Sequence, residues 1–343
     1  MYLFGSCSSM WGKTTTILLL FPNGVVTLGL APSALRRKRS SPRVTMAEAA
    51  TQAPALDTEP PHVLKSLIKM ARPNTVPMAA GLVGAGAYGA RHTVSHISVS
   101  AIAQLALCML LTIICTSGSM LINDYHDFRR GVDTPQTKPN RPLVRGDISL
   151  GLVKRALKWM YAAHLSLICL VDAAPVRLWV LGSTMLTYVY SVHLKPRTGL
   201  KNIVCALIVA MAIGLGAMAV GSPSLGLAAV WRPMVITFCT IWHRELLMDI
   251  KDMPGDAIAG VATLPVMLGR QGALLVSLLP LALAIAVALG AGGAVAPFAV
   301  APLAVMAVLA IRAKMCAFGG GPLALAIESA PAWLAGSLIA MLR

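Results

Sequence analysis

The chain has 343 residues, of which 57% are hydrophobic and 12% are charged, and its formal net charge at pH 7 is +16. This composition indicates a polytopic membrane protein and excludes an ordinary soluble domain. The cations lie in the first 45 residues and in loops beside apolar runs, with no aromatic or Gly-rich RNA-binding pattern among them, so the positive charge predicts no nucleic-acid partner.

The first 45 residues have the composition of an organelle transit peptide. Residues 1–45 contain no Asp or Glu and carry six Lys or Arg residues among many Ser and Thr. A secretory signal or a further membrane span is the alternative, but the apolar stretch Ile17–Leu20 is soon followed by Pro22 and Asn23. Residues 46–65, which contain three prolines, are predicted to be a linker.

Nine apolar runs follow, and each is predicted to be a membrane-spanning helix. They lie near residues 74–90, 97–122, 153–172, 175–192, 201–220, 225–248, 272–290, 293–312 and 323–342. The runs approach or exceed the roughly 20 residues that a helix needs to cross a bilayer. The sequence therefore predicts an all-α fold for a polytopic membrane domain over residues 66–343.

The distribution of charge predicts the topology of this domain. Most Lys and Arg residues lie in the loops after predicted helices 2, 4, 6 and 8, which the positive-inside rule places in the non-translocated compartment. Predicted helices 1–4 and 5–8 each carry an acidic cluster after their second helix. This symmetry predicts two four-helix pseudo-repeats and one additional helix around a central cavity.

The first acidic cluster follows the second predicted helix and consists of Asn123, Asp124, Asp127 and Asp133. On a continued helix, Asn123 and Asp127 share one face with Asp124 beside them. Three carboxylates within ten residues repel one another, so either they are partly protonated or a cation lies among them. Oxygen ligands alone favour a hard ion such as Mg²⁺. A solvated helix end with ordinary acidic residues is the alternative.

The second cluster ends the sixth predicted helix and consists of Glu245, Asp249, Asp252 and Asp256. Four predicted crossings separate the clusters, so both return to the same side of the membrane. Two opposed acidic clusters with basic side chains between them suit a diphosphate that Mg²⁺ bridges to the protein. The apolar helices below would hold a hydrocarbon tail.

Two buried histidines are also predicted inside the spans. His164 and His243 are expected to pack through hydrogen bonds, as most histidines in such positions do. His243 lies six residues before Asp249 and is the better candidate for a contact with a substrate.

Two extended motifs carry a family resemblance. They are Asn123-Asp124-Tyr125-His126-Asp127 with Lys138-Pro139-Asn140-Arg141-Pro142-Leu143, and Asp249-Ile250-Lys251-Asp252-Met253-Pro254-Gly255-Asp256. Over about residues 65–342 the chain resembles the UbiA-type intramembrane prenyltransferases, which have nine helices and two Asp-rich motifs. Most members place the last Asp of the first motif eight residues after the Asn, where this chain has Gly131, and its Asp133 comes two residues later.

The resemblance implies a set of site residues. The implied metal ligands, for Mg²⁺, are Asn123, Asp124, Asp127, Asp133, Asp249, Asp252 and Asp256. The implied substrate-binding residues are Arg72, Asn123, Lys138, Arg141, Lys195 and Lys251. The implied catalytic residues are Asp124, Asp127, Asp252, Asp256 and Tyr190, whose ring would shield an allylic cation. Each of the implied arginine and lysine side chains could instead face lipid headgroups, and Tyr190 could be an anchor at the membrane interface.

The resemblance also implies a reaction, the transfer of a prenyl group from a polyprenyl diphosphate to an aromatic or other lipophilic acceptor within the bilayer. Homogentisate, naphthoate, hydroxybenzoate and chlorophyllide remain open as acceptors. Prenylquinone biosynthesis is the expected pathway, with a plastid membrane as the expected location and the mitochondrial inner membrane as the second choice. The alternative is a transporter or divalent-cation channel, which would place acidic residues near the bilayer midplane and not at one interface.

Overall fold

The computed structural model describes residues 16–21, 24–29, 60–194 and 200–342. The chain divides into two units, residues 1–53 and 54–343. In the first unit, β1 (Thr16–Phe21) pairs antiparallel with β2 (Gly24–Gly29). This hairpin is an addition to the all-α prediction, and its sequences TILLLF and GVVTLG are rich in residues that favour strands. Most of the predicted transit peptide lies outside the described residues.

The second unit is helical. Its helices are α1 (Pro60–Ala71), α2 (Val76–Ala90), α3 (Val99–Arg129), α4 (Pro142–Arg145), α5 (Leu150–Ile168), α6 (Ala174–Val189), α7 (Leu200–Val220), α8 (Pro223–Ala259), α9 (Leu264–Leu289), α10 (Val295–Met315) and α11 (Gly320–Met341). Short 3-10 helices cover Pro73–Thr75 and Arg91–Thr93, and a π-helical turn covers Tyr190–Leu194. The all-α fold of the membrane domain is confirmed.

Within the described residues, six helices are long and apolar enough to cross a membrane: α3, α7, α8, α9, α10 and α11. These make the chain a multi-pass integral membrane protein. Helices α2 and α6 have only 15 and 16 residues, just short of a full crossing. Helix α5 has 19 residues but carries three cations near its start. Nine crossings therefore stay a prediction.

Several predicted boundaries differ from the structure, and three of these differences matter for the site. The predicted linker ends early, because Pro60 and Pro61 occupy the first turn of α1, where proline needs no N–H partner. Helices α3 and α8 continue past their apolar runs to Arg129 and Ala259. At 31 residues, α3 is about 46 Å long, well beyond a hydrocarbon core of about 30 Å. Its polar end can therefore stay helical outside the apolar layer, and both acidic motifs lie on rigid helices.

A small apolar cluster holds together the segments around the first motif. It includes Met70 of α1, Leu121 of α3, Leu143 of α4 and Val153 of α5, all of which are buried. The loop that follows α1 and the loop that precedes α4 are thereby fixed beside the end of α3. The packing of apolar side chains thus decides which loop residues can reach the motif.

Glycines bring α2 and α7 into backbone contact. A Cβ atom added to Gly86 would collide with the carbonyl oxygen of Ile213, and one added to Gly216 would collide with the carbonyl oxygen of Val83. Small residues at such a crossing allow helices in a membrane to approach closely. The crossing therefore joins the first half of the bundle to the second.

We predict that Gly86→Ala lowers the thermal stability of the detergent-solubilised protein by about 1–3 kcal/mol, since a backbone carbonyl cannot move aside as a side chain can. Gly81→Ala on the same helix is the matched control, because no atom lies within 4 Å of its added Cβ. Thermal unfolding monitored by tryptophan fluorescence measures the difference. Equal unfolding temperatures for the two variants would contradict the close crossing.

Candidate functional site

Both acidic motifs lie at the same end of the bundle, on either side of the π-helical turn. On one side, Arg130 at the end of α3 donates a hydrogen bond of 2.7 Å to the carbonyl oxygen of Val192. On the other side, Tyr190 is within electrostatic range of Glu245 and Asp249 on α8. This arrangement agrees with the same-side placement that the sequence predicts.

Asp124 is the most deeply buried carboxylate of the first motif, with 2% of its surface exposed. Nη2 of Arg72 donates to its Oδ1 at 3.0 Å, and Nη1 of Arg141 lies 2.6 Å from each of its two oxygens. Burying a carboxylate without a counter-charge is costly, so the two guanidinium groups are what permits its position.

Arg72 makes its contact from a strained backbone. Its φ is 51° and its ψ is 69°, in the left-handed region that non-glycine residues seldom adopt. Such a conformation costs about 1–3 kcal/mol and persists only where surrounding contacts impose it. The ion pair with Asp124, 52 residues away in sequence, is one such contact.

The end of α3 accounts for the departure from the usual family spacing. Gly131 has a φ of 69° and follows the helix, with the Val132 N–H donating to the Asp127 carbonyl and the Gly131 N–H to the Phe128 carbonyl. This is the Schellman cap, in which glycine has no Cβ to strain the left-handed conformation. An Asp at position 131 would be strained, whereas Asp133 is buried with a carboxylate oxygen 3.9 Å from Nε of Arg141.

Asp249 of the second motif repeats the arrangement seen at Asp124. It is 6% exposed, and its two oxygens accept hydrogen bonds from Nζ of Lys201 at 2.7 Å and Nδ2 of Asn202 at 2.8 Å. Both donors belong to the first turn of α7. In each motif the innermost carboxylate is thus neutralised by the protein itself.

The oxygen atoms of Asn123, Asp252 and Asp256, here called the outer oxygens, are placed differently from the two neutralised carboxylates. Asp252 is exposed and Asp256 half-buried, and both follow Asp249 on one face of α8. Oδ2 of Asp256 and Oδ1 of Asn123 are buried and, within the described residues, have no hydrogen-bond partner. These are hard oxygen donors on opposite sides of the site.

Tyr190 lies in the turn between the motifs. It is within electrostatic range of Cys205 and Glu245. A tyrosine phenol is a neutral hydroxyl at physiological pH. The role of Tyr190 in the site stays a prediction.

Some predicted residues are not brought into this arrangement. Lys138 lies in an exposed loop and Lys251 on an exposed face of α8. Lys195 lies outside the described residues. Lys201, in contrast, is not among the site residues that the resemblance implies, although its position beside Asn202 at the start of an apolar run could have indicated a site residue.

No group of three His, Cys, Asp or Glu side chains converges to form a metal cage in the part of the chain that the structure describes. The predicted ligands Asp124 and Asp249 form ion pairs with Arg141 and Lys201, and their role as metal ligands stays a prediction. The arrangement can accept an anion that supplies further metal ligands of its own.

Comparisons with known proteins agree with this arrangement. A model of the UbiA prenyltransferase family matches residues 77–336. Digeranylgeranylglyceryl phosphate synthase of Pyrococcus abyssi (strain GE5 / Orsay) is 32% identical over 216 residues, which cover 62% of this chain and 73% of that protein. These matches favour an enzyme over the transporter that the sequence left open.

Solved structures show the same fold. An apo structure of a UbiA homolog from Aeropyrum pernix K1 matches with a TM-score of 0.60 and 20% identity, covering 79% of this chain and 96% of that one. A UbiA homolog from Archaeoglobus fulgidus bound to DMAPP and Mg²⁺ matches with a TM-score of 0.57 and 19% identity, covering 80% and 99%.

We predict that Lys201→Met destabilises the protein by about 2 kcal/mol, because it leaves the Asp249 carboxylate without its cation. This is less than the loss expected for a fully buried pair, since 17% of the Lys201 side chain is exposed. Unfolding in mixed detergent micelles measures the change. Lys251→Met, which removes an exposed charge nearby, should have little effect.

A double substitution tests the same ion pair. Asp249→Asn, combined with Lys201→Met, should recover part of the lost stability, because no unpaired carboxylate then remains. A double variant less stable than Lys201→Met alone would contradict the assigned ion pair.

Proposed function

The chain belongs to the UbiA prenyltransferase family, and on this premise we propose that it transfers a prenyl group from a polyprenyl diphosphate to a lipophilic acceptor within the membrane. One observation carries the proposal: two acidic motifs lie at one end of an apolar bundle, each with its inner carboxylate neutralised and its outer oxygens available. A long apolar substrate with a diphosphate head matches such a site in both charge and polarity.

The arginines of the first motif serve the diphosphate. A guanidinium has five N–H donors. Asp124 accepts hydrogen bonds from only some of the donors of Arg72 and Arg141. Their side chains are 35% and 26% exposed, so the remaining donors are open to a ligand. Held in place by Asp124, they present fixed donors to phosphate oxygens at little further cost in side-chain entropy.

The residues present fit Mg²⁺. Mg²⁺ is usually bound by one or two carboxylates together with substrate phosphates, and it retains water, so the site does not need three converging carboxylates. We assign this role to Asn123, Asp127, Asp252 and Asp256. The predicted ligands Asp124, Asp133 and Asp249 then act by holding Arg141 and Lys201. When bound, Mg²⁺ would neutralise the charge on the departing diphosphate.

The chain's own residues would control the reactive carbon. As the bond between the allylic carbon and the diphosphate oxygen breaks, the electron pair leaves with the diphosphate, and the acceptor forms the new bond and loses a proton. The apolar helices exclude water from the carbon in the meantime. Tyr190, neutral and in the turn between the two motifs, would offer its ring face to the positive charge.

The acceptor class follows from the chemistry that the relatives' names describe. A digeranylgeranylglyceryl phosphate carries two geranylgeranyl groups, so the compound one prenylation earlier is a glyceryl phosphate with a free hydroxyl. Homogentisate and hydroxybenzoate, the prenylquinone-type acceptors, also carry hydroxyl groups. We therefore propose a hydroxyl-bearing acceptor.

The proposed function predicts one Mg²⁺-dependent product. Purified protein in nanodiscs would receive geranylgeranyl, phytyl or longer prenyl diphosphates with geranylgeranylglyceryl phosphate, homogentisate, hydroxybenzoate, naphthoate or chlorophyllide. Mass spectrometry should detect a prenylated acceptor that disappears in excess chelator and returns with Mg²⁺. Full turnover in chelator, or no product from any pair, would contradict the proposal.

A second prediction concerns the two motifs as one unit. Asp127→Asn and Asp252→Asn should each remove most of the rate, and the double variant should lose far less than the sum of the two free-energy costs, because both residues act on one transition state. Product formation at saturating Mg²⁺ measures the rates. Asp147→Asn, which removes a loop carboxylate paired with Arg145, is the control. Additive losses in a folded double variant would mean separate sites.

We also propose that residues 1–45 direct the chain to an organelle, a plastid before a mitochondrion. This rests on the basic, acid-free composition alone, since the relatives are archaeal. A fluorescent reporter fused to residues 1–60 should enter the organelle, and replacement of Arg36, Arg37, Lys38 and Arg39 by Gln should retain it in the cytosol. A cytosolic unsubstituted fusion would contradict the assignment.

A further inference from the structure

A row of buried polar side chains lies on α8 beneath the second acidic motif. Thr237, Thr240 and His243 are each 0% exposed and follow one another at intervals of three residues, along one inclined ridge of the helix. Asp249 continues this ridge six residues after His243, about 9 Å along the helix axis. We call Thr237, Thr240 and His243 the α8 polar row.

Each member of the α8 polar row has a buried atom without a hydrogen-bond partner among the described residues. These atoms are Oγ1 of Thr237, Oγ1 of Thr240 and Nε2 of His243. Buried polar atoms in proteins are nearly always hydrogen-bonded, so three along one ridge require an explanation.

Threonine hydroxyl groups on α3 and α6 behave differently. Thr112, Thr184 and Thr187 donate to the carbonyl oxygens four residues earlier, at 2.9, 2.8 and 2.7 Å. This back-bonding is the usual way for a threonine to satisfy its hydroxyl inside a helix. The hydroxyls of Thr237 and Thr240 remain available to another partner.

The hydrogen bond of His243 defines which ring nitrogen is available. Nδ1 lies 2.9 Å from the carbonyl oxygen of Ser277 on α9, and a carbonyl can only accept, so Nδ1 carries the proton. In the neutral imidazole, Nε2 is then a hydrogen-bond acceptor. It requires a partner with an O–H or N–H group.

We propose that the α8 polar row binds the polar head of the acceptor, with Nε2 of His243 accepting a hydrogen bond from the acceptor's hydroxyl. This inference rests on the proposed function and deepens it. The hydroxyl is the nucleophile in an alcohol and activates the ring carbon in a phenol. His243 lies about 9 Å before Asp249 along α8, toward the apolar interior, so a hydroxyl bound there would lie on the hydrocarbon side of a diphosphate held at the motifs. Thr240 and Thr237 can donate to the acceptor's other oxygen atoms.

Two substitutions distinguish a hydrogen bond between His243 and the acceptor from a role of His243 in helix packing alone. In His243→Asn, the amide nitrogen replaces Nδ1 and still donates to Ser277, but no atom replaces Nε2. In His243→Gln, the amide reaches the position of Nε2. Geranylgeranylglyceryl phosphate is the acceptor, or homogentisate if the wild type does not prenylate the former, and the O-methylated form of the same compound is the inhibitor.

The expected result is a change specific to the acceptor. His243→Asn should raise the KM for the acceptor about tenfold and leave the KM for the prenyl diphosphate within about twofold. The preference for the free hydroxyl over its methyl ether, measured by inhibition constants, should fall by a similar factor. His243→Gln should recover most of the loss. His164→Asn, at a buried histidine paired with Thr184 on α6, should leave the acceptor KM unchanged.

Three results would overturn the inference: a wild-type acceptor KM in His243→Asn, an unchanged preference for the free hydroxyl, or an equal rise in both KM values that accompanies lower thermal stability and that His243→Gln does not relieve. Any of these, with normal wild-type turnover, removes this inference and leaves the proposed function intact. A wild-type protein that prenylates no acceptor would remove the proposed function, and this inference with it.

Discussion

The burial of Asp124 and Asp249 at the end of an apolar bundle is the constraint on which the site depends. A buried carboxylate needs a counter-charge, and both find theirs on other segments of the chain: Arg72 and Arg141 for Asp124, and Lys201 for Asp249. These pairs tie the ends of α3 and α8 to the loops and helix starts around them. Apolar packing around Met70 and Leu143 brings these loops beside the first motif, and the ion pairs then fix their basic side chains at Asp124.

The same constraint divides the acidic residues into two groups. The inner carboxylates hold the protein's own cations, whereas Oδ1 of Asn123 and Oδ2 of Asp256 have no hydrogen-bond partner within the described residues and Asp252 is exposed. A site of this kind is preorganised before substrate binds, because the protein already holds its arginine and lysine side chains in place. Preorganised charge is the general means by which enzymes stabilise a departing anion.

The apolar part of the bundle supports this rigid end in a different way. Close contact of α2 with α7 at Gly86 and Gly216 fixes the two halves of the bundle against each other. Beneath the second motif, Thr237, Thr240 and His243 each carry a buried polar atom that has no hydrogen-bond partner within the described residues. The molecule thus combines a charged end for a diphosphate with a largely apolar interior in which several other hydroxyl groups have partners within their own helices.

The sequence by itself determined the membrane class, the approximate spans and both acidic motifs, because these depend on the length of apolar runs and on the local spacing of Asn123 with Asp127 and of Asp249 with Asp256. Only the tertiary structure decided which carboxylates are neutralised, and by which cations. Lys201 and Asp249 are 48 residues apart, and no local pattern distinguishes such a lysine from one that faces lipid headgroups. How far α3 and α8 continue beyond their apolar runs was also decided only by the structure, since hydrophobicity marks where the bilayer ends and not where backbone hydrogen bonding stops.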